Sequence, residues 1–174
     1  MDIPSSSGLV KVLVIDDDDD VRHSIALYLS GSGYIMCEAA DGESGLAMMA
    51  SEKPELVLCD LRMPELDGIN ILKVIADAYP HVPIIVISGA GVMSDALEAL
   101  RLGASDYLIK PIIDLEVLEH AIERSLERFS LRRENLQYRN QLEQANRELK
   151  ANLAVLEQDQ QAGLQIQMKM LPAS

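Results

Sequence analysis

Five short apolar runs alternate along the chain with amphipathic segments, and this rhythm sets the first reading. Residues 9–15 (LVKVLVI), 34–39 (YIMCEA), 55–59 (ELVLC), 84–87 (IIVI) and 106–109 (DYLI) are mostly apolar runs set off by residues such as Gly, Pro and Asp, which predicts strands. Between them, apolar residues recur at helical spacing. Val21, Ile25, Leu27, Tyr28 and Leu29 form one stripe, closed by Gly31 and Gly33. Leu46 and Met49 mark a second helix, begun by Asp41-Gly42 and stopped before Pro54. Ile69, Leu72, Val74 and Ile75 mark a third over residues 68–79. Ser94 is the expected cap of a fourth, through Leu97, Leu100 and Leu102 to Gly103, and Asp114 caps the last. Strands alternating with helices predict right-handed βαβ units and a parallel sheet covered on both faces. Continuous apolar runs suit such a sheet better than alternating ones.

The last helix does not stop where a domain would. From Asp114 to Gln161 there is no Pro and no Gly, enough for roughly 70 Å at ~1.5 Å per residue. Its first part carries Leu115, Leu118, Ile122, Leu126 and Phe129, an apolar stripe suited to packing on the sheet. After Ser130 the composition turns to Arg, Glu, Gln and Asn. Leu142, Leu149 and Leu156 recur every seven residues with Tyr138, Ala145 and Leu153 between, a short coiled-coil pattern weakened by Arg139 and Asn146. A solvated linker helix is the plain alternative. Self-association is favoured here, because so polar a helix is poorly stable alone. The expected organisation is a tail over residues 1–8, a domain over 9–129, a coiled-coil helix over 130–161, and the start of a linker to an absent output domain over 162–174.

Composition narrows the classes. The formal charge of −13 and pI near 4.5 argue against a bulk electrostatic grip on nucleic acid or on an anionic membrane. The first eight residues lack the apolar run of a signal peptide, and no segment is long enough to span a bilayer, so a cytoplasmic location is expected. Cys37 and Cys59, both in strand-like runs, read as buried reduced thiols.

The candidate chemistry lies at four strand ends: Asp16-Asp17, Asp60, Ser88 and Lys110. Singly, each has a bland reading, with Ser88 a capping hydroxyl and Lys110 a surface ammonium. Asp18, Asp19 and Asp20 read as solvated residues at a helix N-terminus. Jointly, three carboxylates, a hydroxyl and an ammonium at the carboxyl ends of parallel strands suit a divalent cation and a phosphoryl group.

Ile15-Asp16-Asp17, Asp60 with Met63-Pro64 and Asp67-Gly68, Ser88-Gly89 and Tyr107-Leu108-Ile109-Lys110-Pro111 resemble the receiver domain of two-component response regulators, over about residues 10–128. The resemblance implies a flavodoxin-like (βα)5 doubly wound sheet, with Asp60 accepting a phosphoryl group from a histidine kinase or phosphotransfer protein. It implies Mg²⁺ held by Asp17, Asp60 and the Arg62 carbonyl, with Asp16 acting through water. Ser88 and Tyr107 would form a switch pair, Lys110 would contact the phosphoryl group across a cis bond to Pro111, and Arg62 and Ala90 would tune dephosphorylation.

Residues 158–172 (QDQQAGLQIQMKMLP) resemble the segment leading into bacterial phosphatase domains of the metal-dependent serine/threonine class, and residues 86–115 look similar to RssB-type regulators of the general-stress sigma factor. Together these imply an output acting on a sigma factor or an anti-sigma-factor antagonist, and the chain itself is expected not to be an enzyme. Two alternatives stand beside this reading. One is a haloacid-dehalogenase-type phosphohydrolase with Asp17 as nucleophile, which leaves Asp60 without a role. The other is a binding adaptor that works without phosphorylation.

Overall fold

A computed structural model of the chain describes residues 8–63, 67–89 and 93–170. Five strands alternate with five helices: β1 (Lys11–Ile15), α1 (Asp19–Gly31), β2 (Ile35–Ala39), α2 (Gly42–Glu52), β3 (Leu56–Cys59), α3 (Gly68–Ala78), β4 (Ile84–Ser88), α4 (Met93–Arg101), β5 (Asp106–Ile109) and α5 (Leu115–Met170). All strand pairs are parallel, in the order β2-β1-β3-β4-β5. This is the doubly wound, flavodoxin-like arrangement. The chain winds one way from β1 to β2 and the other way from β3 onward, which leaves a crevice beyond the carboxyl ends of β1 and β3.

Alternation along each strand divides its side chains between two cores. Leu13, Ile15, Val57, Cys59, Ile84 and Val86 pack with Met49 of α2, Ile71, Leu72 and Ile75 of α3, and Ala99 of α4. Val12, Val14, Leu56, Leu58, Ile85 and Ile87 pack with Ile25 and Leu29 of α1 and Leu118, Ala121 and Ile122 of α5. Each fully buried Leu or Ile contributes about 1.5–3 kcal/mol. A surface ion pair such as Lys11–Glu52, at 3.2 Å, contributes ~0–1 kcal/mol, so the two apolar layers hold the domain together.

Aspartates begin the helices. Asp18 caps α1 through the Asp20 and Val21 amides, Asp41 caps α2 through that of Ser44, and Asp67 caps α3 through that of Ile69. Asp114 accepts from the Glu116 amide in the same way at the start of α5. Gly103, at φ +117°, supplies the left-handed turn that closes α4.

Several expectations are corrected. Ser94 is not a cap, because α4 already includes Met93 and Ser94 lies within its first turn. Cys37 is only half-buried, since β2 is an edge strand, whereas Cys59 is buried. The expected stripe of α5 does pack on the sheet, with Leu118 and Ile122 buried and Leu115 and Leu126 against the same core, and buried Ala121 and Ser125 extend it. Helix also continues past residue 161, through Gly163, to Met170.

The described residues fall into two compact units, divided between Ser130 and Leu131. In the second, Leu142 (70%), Leu149 (58%), Leu153 (50%) and Leu156 (57%) stand exposed on the helix.

Candidate phosphoacceptor site

Three backbone amides carry the parallel ladder one residue past the strands and fix the site. Asp60 N–H donates to the Ile15 carbonyl (2.9 Å), Asp16 N–H to that of Ala39 (3.1 Å), and Lys110 N–H to that of Ser88 (2.8 Å). The sheet therefore sets the spacing of the acidic loop after β1, the carboxylate after β3 and the lysine after β5.

Asp16 and Asp60 are buried and Asp17 is exposed, and their carboxylate oxygens lie within 4.8 Å of one another. Lys110 Nζ bridges two of them, 2.6 Å from Asp16 Oδ2 and 3.0 Å from Asp60 Oδ2. The Asp60 Oδ1 accepts from the Arg62 amide at 3.0 Å, and the Asp16 Oδ1 from the Asp18 amide at 2.9 Å. Burial raises the Asp60 carboxyl above its ordinary range, more than the Arg62 amide and the Lys110 ammonium lower it. For Lys110, burial pulls downward, but the bonds to Asp16 and Asp60 outweigh it and its pKa is raised. Three carboxylates against one ammonium leave two negative charges uncompensated on hard oxygen donors. That donor set fits a divalent cation such as Mg²⁺.

Ser88, the last residue of β4, is buried. Tyr107, on the neighbouring strand, is partly buried and packs against the core on the α2–α3–α4 side of the sheet. The Lys110–Pro111 bond is cis. The Arg62 guanidinium is exposed and pairs with Asp95 Oδ2 of α4 at 3.3 Å. Ala90 and Pro64 lie outside the described residues. Cys59, next to Asp60, is an inert thiol, its pKa pushed up to about 12 by burial and then by Asp60 and Asp16.

Two features are not evident from motif spacing. Gly68 is read from sequence as the start of the third helix, yet a Cβ there would lie 2.5 Å from the Asp60 carbonyl oxygen and from Leu61 Cα. Its amide donates to the Leu61 carbonyl at 3.1 Å, so the start of α3 presses directly on the chain bearing Asp60. Arg22, in the stripe of α1, turns inward and is buried against the Asp16 carbonyl. The signal for it is a basic residue three positions after Asp19, at the end of an aspartate run.

Fold and site together define a flavodoxin-like signalling module of the receiver type. Comparison with known proteins makes this specific: residues 12–123 match the response regulator receiver domain family, and the chain belongs to it. As a receiver domain the matched region is a regulatory module and not an enzyme. The regulatory protein AtoC of Escherichia coli (strain K12) is 36% identical over 128 residues, which are 74% of this chain and 28% of AtoC. The transcriptional regulatory protein ZraR of Salmonella typhimurium is 40% identical over 119 residues, 68% of this chain and 27% of ZraR. The chain thus spans just over a quarter of the length of these relatives. Among solved structures, NtrX from Brucella abortus is 36% identical at a TM-score of 0.69, covering 73% of this chain and 29% of NtrX. A CheY-like receiver domain from Methanospirillum hungatei JF-1, 26% identical, superposes at 0.68, covering 72% of this chain and 99% of that one. Among the described residues, no helix is long and apolar enough to cross a membrane.

Proposed function

We propose that Asp60 accepts a phosphoryl group from the phosphohistidine of a histidine kinase or phosphotransfer protein. The observation that carries this is the placement of Asp60: buried at the end of a central strand, bonded to Lys110, and within 4.8 Å of Asp16 and Asp17. A carboxylate oxygen of Asp60 attacks phosphorus, the bond to the donor imidazole nitrogen breaks, and an acyl phosphate forms. Lys110 offsets the charge on the transferring oxygens. Asp17, Asp60 and the Arg62 carbonyl would hold Mg²⁺, with Asp16 contributing through water. Bound there, the ion supplies charge neutralisation for the phosphoryl group.

Ser88 then donates to the acyl phosphate, and Tyr107 turns into the space it leaves. The two form one bistable element biased by a local charge. Arg62 and Ala90 modulate the access of hydrolytic water. The state passes along α5 to an output, and two chains associate through Leu142, Leu149, Leu153 and Leu156, whose exposure supports a partner helix. Residues 158–172 support an output of the phosphatase-like, sigma-factor-controlling kind. A second reading, a transcription-controlling output, is supported by the description of the ZraR relative as a transcriptional regulatory protein.

The test is labelling by acetyl phosphate, followed by intact and peptide mass spectrometry. One phosphoryl group on Asp60, dependent on Mg²⁺ and absent from Asp60→Asn, is expected. Label on Asp17 would instead support the dehalogenase reading. Faithful partner binding by Asp60→Asn would support the phosphorylation-independent adaptor.

A further inference from the structure

Five consecutive aspartates, residues 16–20, follow β1, and mutual repulsion favours a swollen loop. Arg22 of α1 opposes this. Arg22 is only 7% exposed, an environment that penalises a charge unless its donors are engaged. Nη1 donates to the Asp16 carbonyl at 2.7 Å, and Nη2 to Asp19 Oδ1 at 2.6 Å. Nε makes no hydrogen bond; it lies 3.4 Å from Glu38 Oε1 on β2, close enough for charge attraction toward the sheet only. The fork thus grips the acidic loop at both ends, before Asp17 and after it. A planar guanidinium can make both bonds at once, whereas a lysine ammonium is a point charge on a flexible stem.

We infer that Arg22 is the positioning residue of the acidic loop and sets the preference of the site for a small divalent cation. Mg²⁺ requires near-octahedral oxygen ligands at ~2.0–2.1 Å, whereas Ca²⁺ accepts more ligands at ~2.3–2.6 Å and a pliable cage. A loop held at both ends cannot widen to the larger shell. Once released, its carboxylates spread, Mg²⁺ is held poorly, and Ca²⁺ loses less. The inference rests on the proposal that Asp16, Asp17 and Asp60 bind a divalent cation. It adds a residue that touches no ligand itself and acts through the backbone of one.

The experiment uses the full chain as wild type, Arg22→Lys and Arg22→Met. Thermal unfolding midpoints are recorded against MgCl₂ and, separately, CaCl₂, and the half-saturating concentrations are extracted by linkage. Wild type is expected to be stabilised by both cations with Mg²⁺ preferred. Arg22→Met should raise the half-saturating Mg²⁺ concentration about tenfold, the lower end of the ~10–100-fold effects seen when supports of metal ligands are removed. Its Ca²⁺ value should move less, so the preference narrows, and Arg22→Lys should fall between. If Arg22→Met does not fold, Arg22→Lys carries the comparison. An unchanged Mg²⁺-to-Ca²⁺ ratio in the variant used, whether both affinities fall together or neither moves, overturns the inference. A wild type stabilised by neither cation overturns the cation site itself, and this inference with it.

Discussion

Replacing Gly68 by alanine tests how tightly the start of α3 is coupled to Asp60. The added methyl would stand 2.5 Å from the Asp60 carbonyl oxygen, 2.5 Å from Leu61 Cα and 2.6 Å from the Leu61 carbonyl oxygen. Carbon contacts are comfortable near ~3.5–4.0 Å, so the two chain segments have to part by roughly 1 Å. None of the three atoms belongs to a side chain that could rotate away. Overpacking costs ~1–3 kcal/mol, and a clash with main chain belongs in the upper half of that range. Against it stands a helix-propensity gain of at most ~1 kcal/mol, smaller at the first residue of a helix. A net loss of about 2 kcal/mol lowers the melting temperature by roughly 8 °C, at roughly 4 °C per kcal/mol for a domain of this size. The displaced residue is Asp60, so the rate of labelling by acetyl phosphate should fall in the same variant. Urea and thermal unfolding of the full chain measure the first effect, and mass spectrometry the second. Gly163→Ala serves as a control, because nothing lies within 4 Å of a Cβ there and helicity should hold or rise. An unchanged midpoint and labelling rate in Gly68→Ala would refute the coupling.

Two further outcomes are expected. Because burial raises the native Asp60 pKa, ionising this group costs stability at neutral pH, and the cost vanishes as pH falls through the native value. Without metal, Asp60→Asn should therefore be more stable than wild type near neutrality, with the gap closing toward about pH 4; a variant that is less stable near neutrality would contradict the sign. The chain should also sediment as a weak dimer that a version ending near Ser130 does not form. A few leucines worth ~1.5–3 kcal/mol each only modestly exceed the cost of association, and equal monomeric masses at high concentration would make the helix a linker.

The strand ends were legible because a doubly wound sheet leaves strong marks. Apolar runs of four or five residues, each followed by a polar residue of a particular kind, tie Asp16, Asp60, Ser88 and Lys110 to one crevice before any coordinate is known. Contacts made by main-chain atoms or by long side chains were not legible in this way. The need for glycine at 68 depends on how closely α3 approaches the end of β3, a tertiary distance with no sequence period. Arg22 shares the buried face of α1 with Ile25, Ala26 and Leu29, but a long basic side chain there reads from sequence as one that snorkels outward, and the Asp16 carbonyl and Asp19 carboxylate that hold it inward are contacts set by the folded loop. The expected helix bound at residue 161 fell short, since the intrinsic cost of Gly163, ~1 kcal/mol against alanine, is small beside a long run of good helix formers. Ser94 misled because capping depends on where the helix begins, and α4 already includes Met93.

The central claim is that Asp60 is the phosphoacceptor within a cage formed by Asp16, Asp17 and Lys110. The most direct measurement is a crystal structure of the full chain grown with Mg²⁺ and beryllofluoride. The account predicts the fluoride adduct on an Asp60 oxygen, Lys110 Nζ against one fluorine, and the ion on Asp17, Asp60 and the Arg62 carbonyl. Density for the adduct on Asp17, or an unmodified Asp60 with the ion bound, would contradict it.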